Sequence, residues 1–217
     1  ERLEAIINFW NFAKLNNLED IAYSLTYKTI QSVQITAENL KYSTHIATSY
    51  IYNKDYDNAL NWIEFYENVN GNDERSIYAR ILLSLYSAEE LSSVVEIITN
   101  NYDNFDNDNK LKNEELIFTL LDILESKDEV MLTEDFTNIY DERLMPSIFI
   151  TNNLNKANKN KDYQNLLIYS IISLNDRQWN DIHPEHLKLI LIGFIDYGNS
   201  EIAKEIVIEI FKNYKIL

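Results

Sequence analysis

A turn motif that occurs twice constrains this chain more than any other feature of its sequence. Residues 53–66 are NKDYDNALNWIEFY and residues 160–173 are NKDYQNLLIYSIIS, so the second copy begins 107 residues after the first. In both copies a polar Asn-Lys-Asp turn and a Tyr precede an apolar stretch with helical spacing. Such a turn is typical of the connection between two antiparallel helices, and three periods of roughly 36 residues fill the interval between the copies. The recurrence predicts an array of helical hairpins.

The composition favours helices over sheets. The 217 residues include only three Gly and two Pro, fewer than the turns of a β-protein normally need. There is no Cys, which excludes disulfides and thiolate chemistry. No apolar run reaches about 18 residues, so we predict no membrane insertion. Because residue 1 is Glu, we expect a processed or trimmed product, that is, a fragment of a longer chain. The sequence therefore leaves the cellular compartment open.

Apolar residues at helical spacing predict twelve helices in six hairpins. The second helix carries a stripe of Leu18, Ile21, Ala22 and Leu25, and the tenth carries Leu166, Leu167, Ile171 and Leu174. The eighth helix is predicted over residues 130–140. The single residues that mark predicted helix starts are Asn17, Thr36, Asp55, Asp73, Pro146, Asp162, Pro184 and Ser200. Ser87 and Glu90 together form a predicted capping box at the start of the sixth helix.

The second hairpin resembles the tetratricopeptide repeat (TPR). That family places large, small and Tyr residues along two helices of a unit of about 34 residues. The matching residues here are Ile46, Ala47, Tyr50, Tyr56, Ala59 and Ile63. The departures are Lys54 where the family prefers Gly, Ser43 where it prefers Trp, and Tyr66 where it prefers Ala.

The resemblance implies an all-α fold: a right-handed, TPR-like α-solenoid of about six antiparallel hairpins. The first helix of each pair would line its concave side. We therefore predict a single domain over residues 1–217. The alternative is a compact bundle without repeats, because hairpins one, three and four match the family only in their periodicity.

The sequence predicts no enzyme and no cofactor. It contains no GxGxxG, no phosphate-binding loop ending in GK[ST], no GxSxG and no HExxH. The formal net charge of −16 disfavours nucleic acid and favours a basic protein or peptide as the partner.

Two short segments carry metal-ligand spacing, although we predict no metal site. Asn104, Asp106, Asp108 and Glu115 occupy the first, third, fifth and twelfth places of a calcium loop, with a solvated linker as the alternative. His183, Glu185 and His186 form an HPEH segment at a helix start. The alternative to metal binding by this segment is that His183 caps the helix and His186 is exposed to solvent.

A polar stripe on the ninth predicted helix is the candidate binding site. Its members recur at three- and four-residue steps opposite the apolar stripe: Thr151, Asn152, Asn155, Asn158 and Lys159. Asn side chains both donate to and accept from a peptide backbone. We therefore expect a non-catalytic scaffold that binds a protein or peptide on its concave face. The alternatives are the helical superstructure of a larger enzyme, similar to that of bacterial lytic transglycosylases, and a peptide-sensing regulatory domain.

Overall fold

A computed structural model describes residues 2–16, 18–105, 110–124, 143, 145–214 and 216. Within these ranges the chain is all-helical and has no strand. In the described part of the chain, three short 3-10 helices cover Ala37–Tyr42, Tyr102–Asn104 and Trp179–Asp181. The eleven α-helices of the described ranges are α1 (Arg2–Lys14), α2 (Glu19–Ile30), α3 (Ser43–Tyr52), α4 (Tyr56–Asn70), α5 (Glu74–Ser87), α6 (Leu91–Asn101), α7 (Lys110–Ile123), α8 (Ile148–Asn160), α9 (Tyr163–Leu174), α10 (Pro184–Asp196) and α11 (Ser200–Asn213). None of them combines the length and apolar character that crossing a bilayer requires.

Polar caps start several helices where the sequence predicts them. The carboxylates of Asp55 and Asp162 accept the backbone N–H groups of Asn58 and Asn165, and thereby cap α4 and α9. Asp73 forms a capping box at the start of α5. Each of these caps satisfies N–H groups that have no partner within the helix. The predicted starts at Asp55, Asp73 and Asp162 are confirmed, as are those at Pro184 and Ser200.

Three predicted helix starts are wrong. Ser87 is the last residue of α5, and the N-cap residue of α6, Glu90, makes no side-chain cap bond. Pro146, predicted in the first turn of α8, lies before that helix, whose N-cap residue is Ser147. A 3-10 helix follows Thr36, and α3 begins only at Ser43. The predicted helix over residues 130–140 and the predicted cap Asn17 lie outside the described residues.

The chain forms two compact units, residues 1–88 and residues 89–217. The division falls between α5 and α6, the two helices of the predicted third hairpin. Each unit has its own set of packed helices. The single domain over residues 1–217 stays a prediction.

In the first unit, α3 packs against α2, α4 and α5, and α1 packs against α2. The residues that carry the tetratricopeptide resemblance lie in this core, where Ile46, Ala47, Ala59 and Ile63 are fully buried. The hydroxyl of Tyr27 on α2 donates to Asp55 Oδ2 at 2.8 Å. This bond ties α2 to the start of α4, so neighbouring hairpins are joined at the turn as well as through the core.

In the second unit, α10 packs against α7, α8, α9 and α11, and α11 also packs against α6. The contact between α6 and α11 joins elements of the predicted third and sixth hairpins. In a linear stack each repeat contacts only its neighbours. The solenoid of six stacked hairpins is therefore not confirmed.

Candidate functional site

The repeated turn motif has the same geometry in both copies. Lys54 and Lys161 both adopt positive φ, at 59° and 52°, in the left-handed region. The next residue is the helix cap, and the amide of an Asn three positions later donates to the same carboxylate, Asp55 or Asp162. Hydrogen bonds from Asn165 lower the pKa of Asp162. The motif builds a tight connection between two helices, so its chemistry is structural.

The Tyr of each motif packs against a Tyr near the end of a following helix. Tyr56 Oη donates to the carbonyl oxygen of Tyr86 at 2.8 Å. The ring of Tyr163 stacks on that of Tyr197, with centroids 4.6 Å apart. Each motif therefore also positions the next hairpin along the chain.

The α8–α9 hairpin, residues 148–174, packs on α10 through close contacts. Asn158 Nδ2 donates to the carbonyl oxygen of Leu189 at 3.0 Å. Gly193 on α10 allows this approach, because a Cβ there would lie 2.3 Å from Asn158 Oδ1 and 2.7 Å from Leu166 Cδ1. These contacts fix which sides of α8 and α9 remain exposed.

The predicted polar stripe divides into an exposed part and a part that faces α10. Asn152, Asn155 and Lys159 are exposed. Thr151 and Asn158 are half-buried, and Asn158 is held by its bond to α10. One turn before Asn152, Ile148 is 81% exposed and extends the exposed stripe toward the start of α8.

The helix α9 exposes four of its six Leu and Ile side chains and buries two serines. The exposed residues are Leu167, Ile168, Ile171 and Ile172, at 40–62% of their full area. Leu166, Ser170 and Ser173 are buried instead. We use the name outer surface of the hairpin for two exposed sets: the four exposed residues of α9, and Ile148, Asn152, Asn155 and Lys159 on α8.

Sequence reasoning misses the apolar half of the outer surface. The prediction assigns Leu167 and Ile171 to the apolar stripe of the helix, whereas the structure exposes both. In the segment LLIYSIISL, apolar residues stand at nearly every position, so periodicity does not distinguish a core face. The two serines are the available signal, because small side chains permit close helix packing.

The hairpin is locally cationic although the chain is acidic. Between residues 148 and 174 there are three lysines, Lys156, Lys159 and Lys161, and one carboxylate, Asp162. The net charge of this segment is +2, against −16 for the whole chain. The charged side chains of the hairpin itself therefore favour an anionic group.

A buried polar pair lies where α9 meets α10. His186 Nε2 is 2.8 Å from Ser173 Oγ, and that hydroxyl donates to the carbonyl oxygen of Ser170. Since the hydroxyl has a single proton, His186 donates through Nε2–H. Burial, with smaller contributions from Arg177 and His183, lowers the pKa of His186 to about 4. The predicted solvated His186 is wrong, because the side chain is buried and neutral at pH 7.

The residues with metal-ligand spacing do not form a metal cluster within the described ranges. His183 Nδ1 accepts the backbone N–H of Glu185 and so caps α10. Glu115 pairs with the buried Arg143, and Asn104 lies at the end of a 3-10 helix. Asp106 and Asp108 lie outside the described residues.

A small cleft lies between α7 and the start of α10. Its volume is about 260 Å³, below the roughly 300 to 1,000 Å³ of typical ligand pockets. Two of its carboxylates are in ion pairs, Glu115 with Arg143 and Asp122 with Lys188. The lining residues are Glu115, Phe118, Thr119, Asp122, His183, Pro184 and Glu185.

Comparisons with protein-family models, with curated proteins and with solved structures find no match. No relative therefore contributes a function. The resemblance to tetratricopeptide repeats rests on the sequence pattern alone, which is clearest in the second and sixth predicted hairpins.

Proposed function

We propose that this protein is a non-catalytic scaffold that binds a segment of another protein on the outer surface of its α8–α9 hairpin. The observation that carries the proposal is the reversed polarity of α9. This helix buries Ser170 and Ser173 and presents four Leu and Ile side chains to solvent. An exposed apolar patch on a helix whose buried side holds serines is a candidate interaction site.

The surface favours a segment that combines apolar side chains with a carboxylate. Leu167, Ile168, Ile171 and Ile172 supply apolar contact area, and each side chain buried on binding contributes about 1 kcal/mol or more, since it is half exposed before binding. The exposed amides of Asn152 and Asn155 would pair with polar groups of the bound segment. Lys159 lies on the same exposed stripe and would attract its carboxylate.

The local charge changes the expected partner. The net charge of the whole chain favours a basic partner, whereas the cationic hairpin favours an acidic one at this surface. A basic partner stays a prediction for the acidic parts of the chain. The proposal also does not depend on a six-hairpin solenoid with a concave groove, which stays a prediction as well.

A displayed library of random peptides tests the proposal, because selection requires no assumption about the sequence of the partner. Selection against the chain should enrich sequences that contain several apolar residues and at least one Asp or Glu. The enriched peptides should bind Ile168→Ser/Ile171→Ser at least about 10-fold more weakly than wild type, because two apolar contacts are lost. The matched control is Val69→Ser, which changes an exposed apolar residue of α4 in the first unit.

Two further variants separate the polar contributions. Asn152→Ala/Asn155→Ala should speed dissociation, at about 0.5 to 1.5 kcal/mol per lost hydrogen bond. Lys159→Gln should slow association and reduce its dependence on salt. Peptides that bind wild type and the α9 variant equally would show that the outer surface is not the binding site.

A further inference from the structure

A second apolar surface lies on α2, in the first unit. The sequence assigns Leu18, Ile21 and Leu25 to the core, but all three side chains are exposed and Leu25 retains 72% of its full area. The residues of α2 that are buried are Ala22, Tyr23 and Ile30. The apolar stripe of this helix therefore faces solvent.

Exposed apolar residues also lie on α1 and in the turn that joins it to α2. On that helix the core is formed by Ile7, Trp10 and Ala13, which leaves Phe9 and Phe12 on the exposed side. Leu15, in the turn between the two helices, is 85% exposed. Because α1 packs against α2 and a short turn joins them, we treat the six exposed apolar residues as one surface and call it the α1–α2 face: Phe9, Phe12, Leu15, Leu18, Ile21 and Leu25.

The exposed apolar area of this face is close to the apolar area that each partner buries in a stable protein interface. A whole Phe side chain offers roughly 200 Å² and a Leu or Ile roughly 120 Å², so the exposed fractions leave on the order of 500 Å² of apolar area. A standard interface buries roughly 800 Å² per partner, of which roughly 65% is apolar in homodimers. The face therefore supplies the apolar area that a dimer requires.

The charge of this region is compatible with a second copy of the same chain. Residues 2–30 contain three cations, Arg2, Lys14 and Lys28, and three anions, Glu4, Glu19 and Asp20. The region is neutral within a chain of net charge −16, so two copies that meet at these faces do not repel each other through the net charge of this region. A strongly charged partner gains no electrostatic attraction at a neutral surface.

We propose that the α1–α2 face is a self-association surface through which two copies of this chain form a symmetric dimer. In a two-fold interface the same patch of each copy contacts the other. Each substitution on the face therefore enters the interface twice. This surface belongs to the first unit, and the proposal does not depend on the function proposed for the α8–α9 hairpin.

Sedimentation velocity over a range of protein concentrations tests the proposal. The wild-type chain should be a dimer at micromolar concentration. Leu25→Lys should weaken the dimer by at least about 100-fold, because it places two unpaired charges in one apolar contact. The matched control Val69→Lys, on α4, should leave the dimer unchanged. If circular dichroism shows that Leu25→Lys is unfolded, Phe12→Lys on α1 replaces it.

Crosslinking provides an independent measurement, because the chain contains no cysteine. Ile21→Cys should crosslink to a second copy through a bis-maleimide faster than Val69→Cys does. A chain that stays monomeric at hundreds of micromolar would overturn the proposal. So would a dimer that Leu25→Lys leaves intact, or equal crosslinking at Ile21→Cys and Val69→Cys.

Discussion

Gly193 is the position at which the packing of the α8–α9 hairpin can be tested most directly. It lies within α10, and a Cβ at this residue would stand 2.3 Å from Asn158 Oδ1 and 2.7 and 2.9 Å from the two δ-carbons of Leu166. Contacts this short do not persist in folded proteins. Gly193→Ala therefore requires both side chains to move.

The expected effect is the difference between two opposing contributions. Replacing Gly by Ala within a helix normally stabilises it by about 0.5 to 1 kcal/mol. Overpacking a close contact costs about 1 to 3 kcal/mol. Leu166 is 2% exposed, and Asn158 is held by its bond to Leu189, so neither side chain moves freely. We expect a net loss of about 1 to 2 kcal/mol in the free energy of unfolding, or a decrease of about 2 to 8 °C in Tm.

Thermal and urea unfolding of four proteins measures this contact: wild type, Gly193→Ala, Asn158→Ala and the double variant. Asn158→Ala removes the atom nearest to the new methyl group. Gly193→Ala should therefore cost less in that background, while the clash with Leu166 should leave part of the loss. A Tm for Gly193→Ala equal to or above that of wild type would refute the close approach of α10 to the hairpin.

Three further predictions concern single residues. Ala59→Leu should cost about 1 to 3 kcal/mol in the free energy of unfolding, because Ala59 is fully buried where α4 packs on α3; unchanged urea unfolding would contradict this. Since the pKa of His186 is about 4 in the folded state and 6.5 ordinarily, the unfolded state binds more protons between these values. Stability should therefore fall by up to about 3 kcal/mol as the pH decreases from 6.5 to 4, and His186→Gln should flatten this dependence in urea titrations at several pH values. Lys161→Gly should raise the free energy of unfolding by up to about 1 kcal/mol, and Tm with it, because Lys161 has positive φ and Gly adopts that conformation without strain. Lys159→Gly, within α8, should instead lower the free energy of unfolding by about 1 kcal/mol.

The sequence by itself determines the helical hairpin and its turn. Asp55 and Asp162 cap their helices as predicted, because a carboxylate at this position satisfies backbone N–H groups locally. On α1 the buried residues Ile7, Trp10 and Ala13 recur at helical spacing, so periodicity locates this core face. On α3 it does not suffice, because Ser43, Thr44 and Ser49 are buried along with the apolar residues. The exposed positions of Asn152, Asn155 and Lys159 follow from helical spacing.

Other features depend on which helices meet in the folded chain. The segments of α2 and α9 are apolar on more than one side, so their own residues do not decide which side is buried. On α9 the buried side holds Ser170 and Ser173, because small side chains allow α10 to approach closely. On α2, Ala22 and Tyr23 face the core, and Leu25 is left in solvent. Local hydrogen bonding determines where a helix begins, whereas the exposed apolar surface is set by packing between residues distant in sequence.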